Sequence, residues 1–291
     1  GPSMQPPTII AEIGCNHRGE VETAEEMIKL AAIFCRADYV KFQKRHNREL
    51  LSEAQYNAPH PNPMHAYGNT YGEHRENLEF DAATHRHLKD VCESFGIGYS
   101  TSVWDLSSAK EMSAIGPDML KIPSASNTHQ EMLGWLCDNF GGEIHVSLGM
   151  TSRAEEQALI ELFEARGRLG DLVLYACTSG YPVPFEDLHL YEISRLRQAY
   201  DGRVKAVGFS GHHLGIAADV AAMTLGAQLI ERHFTLDRTW KGTDHSASLE
   251  PDGLRRLVRD TRNVFKALDH KPSEILEIEK PQREKLKWKA A

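Results

Sequence analysis

The chain has 291 residues, and its 33 Lys and Arg against 41 Asp and Glu give a formal net charge of −8. Its 41% hydrophobic and 25% charged residues are ordinary for a globular protein and exclude disordered and fibrous classes. No stretch approaches the roughly 20 apolar residues that cross a bilayer, so the sequence predicts no membrane span. The acidic balance, without a long Lys or Arg run, argues against nucleic acid as the main partner.

Cysteine usage indicates a reducing compartment. Five cysteines are scattered along the chain without a Cys-x-x-Cys pair, which is typical of free thiols in a cytoplasmic protein. The charged flank and apolar core of a signal peptide are missing near residue 1, and residues 1–7 are interpreted as a tag remnant and an N-terminal lead. We therefore expect a cytoplasmic protein.

Short β-branched runs alternate with amphipathic stretches along most of the chain. From the N-terminus, the runs predict strands over 8–13, 38–43, 96–102, 119–124, 143–148, 172–178, 204–210 and 229–235. The stretches predict helices over 21–35, 82–95, 107–115, 129–139, 153–166, 188–200, 215–225 and 251–268. The long polar insertion between the second strand and residue 80 is rich in His and Pro, and we interpret it as a lid or packing loop.

Eight strand–helix units are the number found in a TIM (β/α)8 barrel, so residues 8–270 are predicted to form one α/β domain of that fold. Continuous apolar runs suit parallel strands that are covered on both faces. An open doubly wound sheet is the second choice, but no Gly-x-Gly-x-x-Gly follows the first strand. Residues 271–291 are predicted to be a charged tail or the remnant of a linker.

Polar residues accumulate where the predicted strands end. In a TIM barrel these carboxyl ends carry the reacting groups. Any one of the residues could be a capping group or a solvated loop residue, but their recurrence on most strands favours an active site there. They are Glu12, Asn16, His17, Lys41, Gln43, Thr101, Lys121, Ser124, Ser126, Ser147, Thr178, Ser179, Ser210, His212 and His233.

Two pairs within this set have a specific chemistry. Lys41 and Lys121 end separate strands and could both point at one anion, with hydroxyl and backbone N–H groups completing a phosphate site. His212 and His233 end the last two strands, which are neighbours in a barrel, and two neutral imidazoles suit a divalent ion such as Mn²⁺ or Zn²⁺. Only one of His212 and His213 is expected to face the site, because successive residues of an extended chain point to opposite sides.

Several long motifs, in this order, resemble the N-acetylneuraminate (sialic acid) synthase family. The resemblance implies a TIM barrel, most often a homodimer, that condenses phosphoenolpyruvate (PEP) with an open-chain aldose such as N-acetylmannosamine. It also implies a divalent metal, Mn²⁺ first, with Mg²⁺, Co²⁺ or Zn²⁺ as alternatives. The motifs are IIAEIGCNHRG (9–19), ADYVKFQK (37–44), YGNTYGEHRENLEF (67–80), STSVWD (100–105), LKIPSAS (120–126), VSLGM (146–150), CTSGYPVP (177–184), VGFSGHHLG (207–215) and IERHFTLDRTWKGTDHSASLEP (230–251).

The resemblance assigns expected roles position by position. His212 and His233 match the two metal ligands, and Glu12 matches the carboxylate beside the metal and PEP, which we expect to handle protons. Residues expected near the reacting carbonyl and the sugar hydroxyls are Gln43, Tyr181 and Asp244. Residues expected to line the PEP phosphate and carboxylate are Lys41, Thr101, Lys121, Ser124, Ser147 and Ser210.

Departures from the family pattern fall where the acceptor sugar is expected. Gly211 stands where an Asp is common, Ser126 where a carboxylate is common, and Ser179-Gly180 where an Asn is common. We therefore expect Ser126 and Ser179 to border an acceptor other than N-acetylmannosamine. Family members usually continue into a small antifreeze-like domain, and residues 271–291 resemble the linker that leads to it.

Three alternative interpretations remain open from the sequence. A metal-dependent aldolase or isomerase could use the same barrel, although a pyruvate aldolase needs no phosphate cradle. A degenerate, non-catalytic barrel would be expected to lose the His pair and Glu12 together, and both are present. The insertion could hold a second metal, but its histidines lack regular ligand spacing; they are His46, His60, His65 and His74.

Overall fold

The computed structural model describes residues 5–291 and contains one closed barrel of eight parallel strands. Each strand pairs with the next along the chain, and the last pairs with the first. The predicted TIM (β/α)8 fold is therefore confirmed. The strands are β1 (Thr8–Gly14), β2 (Tyr39–Lys44), β3 (Gly98–Val103), β4 (Met119–Ile122), β5 (Glu143–Ser147), β6 (Leu172–Cys177), β7 (Ala206–Gly211) and β8 (Leu229–His233).

Amphipathic helices pack against the outside of the barrel. Most of them alternate with the strands, as the sequence predicts, and the insertion after β2 adds three short helices. The helices are α1 (Val21–Lys29), α2 (Asn47–Leu50), α3 (Glu53–Asn57), α4 (Tyr71–Asn77), α5 (Ala82–Phe95), α6 (Leu106–Ile115), α7 (Gln130–Asn139), α8 (Arg153–Ala165), α9 (Tyr191–Tyr200), α10 (Ala217–Thr224), α11 (Pro251–Ala267) and α12 (Lys280–Leu286).

Side chains along each strand alternate between the barrel interior and the layer of helices. The lower part of the interior is filled by a small apolar cluster that includes Ile10, Met119, Val173, Tyr175 and Leu229. The larger apolar cluster lies between the strands and the helices. This cluster fills the barrel interior near the amino ends of the strands, and the polar side chains lie nearer the carboxyl ends.

The strand register places the polar residues on one level. Glu12 of β1 lies opposite Lys41 of β2 on one side and opposite His233 of β8 on the other. On the next pair, Ser210 of β7 lies opposite Glu231 of β8. Residues that face each other on paired strands point to the same side of a sheet, so these side chains share the barrel interior.

Some predicted bounds shift for local reasons. The helix predicted over 21–35 is α-helical only to Lys29 and continues as a π-helical turn, Leu30–Phe34. The strand predicted over 119–124 ends at Ile122, because Pro123 has no amide proton to donate to the strand ladder. Both changes leave the order of the elements intact.

The insertion after β2 folds over the mouth of the barrel. The Tyr67 hydroxyl donates to the Lys241 carbonyl, and the Gly242 amide donates to His65 Nδ1 at 3.0 Å. Lys241 and Gly242 belong to the loop between β8 and α11, so the insertion is tied across the end of β1 to the loop that follows β8. These contacts are those of a packing loop, one of the two predicted alternatives.

Within residues 5–291, no helix is both long enough and apolar enough to cross a bilayer. The cysteines form no disulfide. Burial raises the pKa of Cys15 to about 12, the neighbouring Arg45 notwithstanding, so this side chain is a neutral thiol.

Candidate active site

A cavity of about 560 Å³ opens at the carboxyl ends of the strands. Residues from β1 to β8 contribute to it, and Tyr71 of the insertion forms part of its wall. The sequence-predicted residues that line it are Glu12, Lys41, Gln43, Lys121, Ser124, Ser147, Ser179, Tyr181, Ser210, His212, His233 and Asp244. Residues predicted from strands far apart in the sequence are therefore brought together in one space.

Four buried charges form the bottom of the cavity, here named the charged floor: Glu12, Lys41, Lys121 and Glu231. The Lys41 ammonium lies 2.6 Å from Glu12 Oε2 and 3.0 Å from Glu231 Oε1, and the Lys121 ammonium lies 2.7 Å from Glu231 Oε2. Lys121 Nζ also lies over the Tyr175 ring, 3.8 Å from its centroid. The floor therefore holds two cations in fixed positions beside the cavity.

Burial sets the protonation states of the charged floor. Burial raises the pKa of Glu12 from its ordinary value to about 7, although the Lys41 ammonium opposes the shift. Burial acts in the same direction on Glu231, but Lys121 and Lys41 outweigh it and lower the pKa of that carboxyl. Glu12 is therefore the carboxyl of the floor that can exchange a proton near neutral pH, as general acid–base catalysis requires.

Burial and ion pairing act on the pKa of both lysines, but the outcome differs between them. For Lys41, burial favours the neutral amine, but Glu12 and Glu231 outweigh it and raise the pKa. For Lys121, burial dominates and lowers the pKa, although Glu231 opposes it. A substrate anion placed against Lys121 would favour its charged form, because an opposite charge stabilises a buried ammonium.

Serine side chains line the same cavity as the two lysines. Ser102, Ser124, Ser147 and Ser210 line the same cavity, and the Ser124 hydroxyl accepts a hydrogen bond from the Gly149 amide at 3.0 Å. Two cations with several hydroxyls are the donor set that binds a phosphate or carboxylate group. The floor is thus suited to a small anion.

Thr101 was predicted to line the anion site with these residues, but the structure places it elsewhere. It is fully buried outside the cavity, and its hydroxyl donates to the Ser102 carbonyl at 3.1 Å. Ser102 lies opposite Lys121 and lines the cavity instead. The reason is the two-residue repeat of a strand, which turns neighbouring side chains to opposite faces.

Ser126 also lies away from the cavity. It is buried in the 3-10 turn Ser124–Ser126, and its hydroxyl donates to the Trp104 carbonyl at 2.9 Å. Its predicted contact with the acceptor is therefore not supported by its position. Ser179, the other predicted acceptor residue, does line the cavity.

His212 and His233 lie together at one side of the cavity, with ring centroids 5.2 Å apart. Burial lowers the pKa of His212 to about 3 and that of His233 to about 4, so both imidazoles are neutral. His212 Nδ1 is 3.2 Å from the Thr178 carbonyl, which leaves Nε2 available, and His233 Nδ1 is buried without a hydrogen-bond partner. Neutral rings with an available nitrogen fit a divalent metal.

Protein groups alone do not complete a metal site here. Among residues 5–291, no three or more His, Cys, Asp or Glu side chains are arranged as a ligand group. Two histidines would therefore share the ion with water and with substrate oxygens. His213, by contrast, faces away from the cavity and contacts Asp219, as the alternation of the strand predicts.

The remaining predicted residues lie around the charged floor and the His212–His233 pair. Gln43 Oε1 accepts from the Cys15 thiol at 3.5 Å, and the Tyr181 ring lies 4.5 Å from the His212 ring. Asp244 is half-buried at the edge of the cavity, and burial raises the pKa of its carboxyl. All three can reach a substrate that fills the space above the charged floor.

The sequence reasoning missed several cavity residues, of which Glu231 and Arg45 carry charge. Both could have been found from the two-residue repeat, since Glu231 precedes His233 by two positions and Arg45 follows Gln43 by two. The other missed residues are Tyr71, Ser102, Trp104, Pro123, Ala125, Met150, Cys177, Gly180 and Thr243. Tyr71 belongs to the insertion, whose path the sequence does not reveal.

The fold and the cavity together define a TIM-barrel enzyme with a site for a small anionic substrate. The chain belongs to the NeuB family, whose model matches residues 27–273. It is accordingly an enzyme of the sialic acid synthase type, a PEP-condensing transferase.

Relatives and solved structures agree with this assignment. The chain is 36% identical over 283 residues to N-acetylneuraminate-9-phosphate synthase of Homo sapiens, covering 97% of this chain and 77% of the relative. It is 34% identical over 266 residues to N,N'-diacetyllegionaminic acid synthase of Campylobacter jejuni, covering 91% and 78%. The crystal structure of N-acetylneuraminic acid (sialic acid) synthetase from Leptospira borgpetersenii superposes with a TM-score of 0.80 at 28% identity, covering 98% of this chain and 94% of that one.

Proposed function

We propose that this protein condenses PEP with an open-chain aldose to form a 3-deoxy-2-ulosonic acid and phosphate. The observation that carries the proposal is the shared cavity, in which two buried lysines lie beside a pair of neutral histidines. The lysines suit the phosphate and carboxylate of PEP, and the histidines suit a divalent ion. The matched relatives are named as synthases of acids of this sialic type, which supports the same reaction class.

The charged floor would hold PEP. Lys41 and Lys121 provide the positive charge, and Ser124, Ser147 and Ser210 provide hydroxyl donors. Because Glu231 already bridges the two ammonium groups, they keep their positions before substrate arrives. Such preorganised charge stabilises a reacting anion without further rearrangement.

His212 and His233 would hold the divalent metal, with Mn²⁺ as the ion proposed first and Mg²⁺, Co²⁺ or Zn²⁺ as alternatives. When bound there, the ion supplies Lewis-acid polarisation of the acceptor's aldehyde oxygen. Tyr181 packs against both rings and limits the access of water to them, with centroid distances of 4.5 Å and 6.0 Å.

Glu12 is proposed to move protons during the reaction. C3 of PEP forms a bond to the aldehyde carbon, whose oxygen takes up a proton; water then adds to C2 and gives one up before the C2–O bond to phosphate breaks. The raised pKa of Glu12 suits both transfers at neutral pH. Asp244 and Gln43, which face the same space, are proposed to orient the acceptor's carbonyl and hydroxyl groups.

The identity of the acceptor remains a separate proposal. Ser179 lines the cavity and replaces a longer residue of the family pattern, so we propose an aldose other than N-acetylmannosamine itself. A Cβ at Gly211 would lie against His213, away from the cavity, so the departure at Gly211 does not support this proposal. Because Ser126 does not reach the cavity, its departure no longer supports this idea. The product names of the matched relatives differ as well, which shows that acceptors vary within the family.

The oligomeric state, the cellular compartment and the domain bounds are also proposals. We propose a homodimer in the cytoplasm, with residues 8–270 as the catalytic domain and residues 271–291 as the charged tail. The longest helix of that tail is α12, and it is exposed. Sedimentation of the purified protein would test the dimer, for which a single species of about twice 32.7 kDa is expected.

The reaction is tested by phosphate release from PEP and Mn²⁺ with a panel of aldoses. The panel contains N-acetylmannosamine, mannose, arabinose and their phosphorylated and amino variants, each repeated after treatment with EDTA. We expect release that requires both one acceptor class and the metal. Release that persists in EDTA would contradict the metal assignment, and N-acetylmannosamine as the best acceptor would contradict the acceptor proposal.

A further inference from the structure

The Tyr175 ring contacts one of the two floor lysines from the interior of the barrel. Tyr175 belongs to β6, is completely buried within the small apolar cluster and does not line the cavity. The centroid of its ring is 3.8 Å from Lys121 Nζ. The face of an aromatic ring is negative and attracts an ammonium group at this distance. Tyr175 therefore supports the charged floor on the side turned away from the substrate.

The two floor lysines have different partners. The Lys41 ammonium lies within 3.0 Å of two carboxylates, Glu12 and Glu231. Within residues 5–291, Lys121 pairs with Glu231 alone, and the Tyr175 ring is its second partner. A carboxylate cancels the charge of the ammonium that it binds, whereas an aromatic ring has no net charge. The ring therefore holds Lys121 in place and leaves its positive charge available to an anion in the cavity.

Burial works against the charged form of Lys121. It lowers the pKa of this side chain, although the carboxylate of Glu231 opposes the shift. Cation–π attraction is strongest where water is excluded, and it favours the ammonium over the neutral amine. The Tyr175 ring therefore supports the charged form of Lys121, which is the form that binds a phosphate or a carboxylate.

Two neighbours fix the orientation of the Tyr175 ring. Gly208 lies opposite Tyr175 on β7, and a Cβ at Gly208 would lie 2.8 Å from two of the ring carbons. The ring therefore occupies the space that the glycine leaves free. At the end of the ring, the hydroxyl oxygen lies 2.6 Å from His145 Nδ1. His145 Nε2 lies in turn 2.9 Å from Glu143 Oε1, at the start of β5.

The direction of both hydrogen bonds follows from the protonation states. The hydrogen bond with His145 lowers the pKa of Glu143, so Glu143 is a carboxylate and can only accept. Burial lowers the pKa of His145, so its ring is neutral and carries its one proton on Nε2, facing Glu143. The bare Nδ1 then accepts from the hydroxyl of Tyr175, which keeps its proton because burial raises its pKa. The ring is thus held at its edge as well as at its face.

We propose that Tyr175 is a positioning residue for PEP binding: its ring holds the Lys121 ammonium against the bound anion, while His145 and Gly208 hold the ring. This inference rests on the proposed function, since it takes PEP to be the anion on the charged floor. Tyr175 is separated from the cavity and acts only through Lys121. Its replacement should therefore change the affinity for PEP in proportion to the electron density of the ring.

Calorimetric titration of PEP compares loss of the ring with loss of the hydroxyl. Tyr175→Leu removes the ring and should weaken PEP binding by about tenfold, whereas Tyr175→Phe keeps the ring and should stay within about threefold of wild type. Tyr99→Leu is the matched control, because Tyr99 is also a buried tyrosine whose hydroxyl contacts a histidine, His85, but it packs outside the barrel against Met112 of α6. It should lose stability and keep its PEP affinity. Equal PEP affinity in the Tyr175→Leu and wild-type proteins would overturn the proposal.

A fluorine series distinguishes cation–π attraction from simple packing. The starting protein carries Tyr175→Phe with His145→Leu, so that no buried imidazole is left without a donor, and position 175 is then filled by phenylalanine with one, two or three ring fluorines. Fluorine withdraws electrons from the ring face and changes its volume little, so the dissociation constant of PEP should rise with each fluorine, by about fivefold over the series. A dissociation constant that does not change along the series would reduce Tyr175 to a packing residue and overturn the proposal.

Nuclear magnetic resonance without PEP separates failure of this inference from failure of the proposed function. With lysine isotopically labelled at Cε, the Lys121 signal is identified by its loss in the Lys121→Met protein. The ring current of Tyr175 should move that signal upfield of the other lysine signals, and Tyr175→Leu should abolish the displacement. A Lys121 signal at the ordinary lysine position would overturn the inference. An upfield signal in a wild-type protein that fails to bind PEP would instead refute the proposed function.

Discussion

Two buried charge networks lie side by side near the ends of β7 and β8, and they face different surroundings. The charged floor borders the cavity. The second network, here named the wall network, consists of His213, Asp219 and Arg232 between the barrel and α10. Arg232 Nη1 donates to Asp219 Oδ2 at 2.6 Å, the His213 ring lies 3.0 Å from the same oxygen, and all three residues are at most 1% exposed.

Neighbouring residues of one strand belong to different networks. Along β8, Glu231 joins the floor, Arg232 joins the wall network and His233 borders the cavity. His212 faces the cavity and His213 faces the helices in the same way. Burial and ion pairing are common to both networks, so they do not identify a functional site by themselves. The adjoining cavity makes the difference.

Replacing Lys121 should have the largest effect on function. Lys121→Met removes a floor cation that we place against PEP, and we expect the rate of phosphate release to fall by a factor of roughly 10³ or more. Lys110→Met, at an exposed site on α6, is the matched control and should retain the wild-type rate. A Lys121→Met protein that turns over within tenfold of wild type would remove the floor from the mechanism.

Replacing Arg232 should have the largest effect on stability. Arg232→Met leaves Asp219 as an uncompensated buried charge, and we expect the free energy of unfolding to fall by about 3–5 kcal/mol. Urea unfolding measures the loss, and PEP affinity of the folded protein should stay within about threefold. A loss of PEP affinity as great as that of Lys121→Met would show that the two networks act as one.

A double substitution sharpens the same test. Arg232 Nε and Asp219 Oδ1 have no hydrogen-bond partner, so the wall network is incompletely satisfied. Replacing both charges, by Arg232→Met with Asp219→Leu, should therefore recover at least half of the stability lost in the single variant. A double variant less stable than Arg232→Met would contradict this view of the network.

The two adjacent histidines provide a smaller, paired test. His212→Asn should weaken Mn²⁺ binding by roughly 10- to 100-fold, because His212 is one of only two proposed protein ligands. His213→Asn should leave Mn²⁺ affinity within about threefold and lower stability by about 1–3 kcal/mol. Electron paramagnetic resonance of Mn²⁺ reports binding directly; equal losses of Mn²⁺ affinity in both variants would contradict the assignment.

The pH dependence of stability gives the smallest expected effect. Burial raises the folded-state pKa of Glu12 from 4.5 to about 7, so between these values the folded protein binds more protons than the unfolded chain. The free energy of unfolding contributed by Glu12 therefore falls as the pH rises from about 5 to about 7, by up to roughly 1.4 kcal/mol per pH unit.

Glu12→Gln removes this dependence. Urea unfolding in EDTA at pH 5, 6 and 7 should show the wild-type protein losing stability relative to the Glu12→Gln variant as the pH rises. Glu26→Gln, at an exposed position on α1, controls for the loss of a carboxyl elsewhere and should follow the wild-type protein. Parallel curves for wild type and Glu12→Gln would show that Glu12 does not titrate in this range.

The sequence predicts the barrel and most of the cavity because both depend on local repeats. Alternating apolar runs and helices define eight strand–helix units, and strand ends such as Lys41 and His233 identify the mouth of the barrel. Thr101 was placed wrongly because neighbouring residues at a strand end cannot be assigned to one face without a fixed register. Ser102 takes the place in the cavity.

Other residues lie beyond such reasoning. Tyr71 reaches the cavity through an insertion whose path depends on contacts such as that of Tyr67 with the Lys241 carbonyl. Glu231 is a different case. Its spacing of two residues from His233 predicts that both side chains face the same side of β8, but its ion pairs with lysines of β2 and β4 form only in the closed barrel. Long-range pairing of this kind has no signal in a single sequence.

The most direct test of the central claim is a calorimetric titration of PEP into the wild-type, Lys121→Met and Arg232→Met proteins. We predict one PEP site per chain in the wild-type protein, affinity lost by at least tenfold in Lys121→Met, and affinity kept within about threefold in folded Arg232→Met. Absence of PEP binding in the wild-type protein, or equal affinity in the wild-type and Lys121→Met proteins, would contradict the assignment of the charged floor.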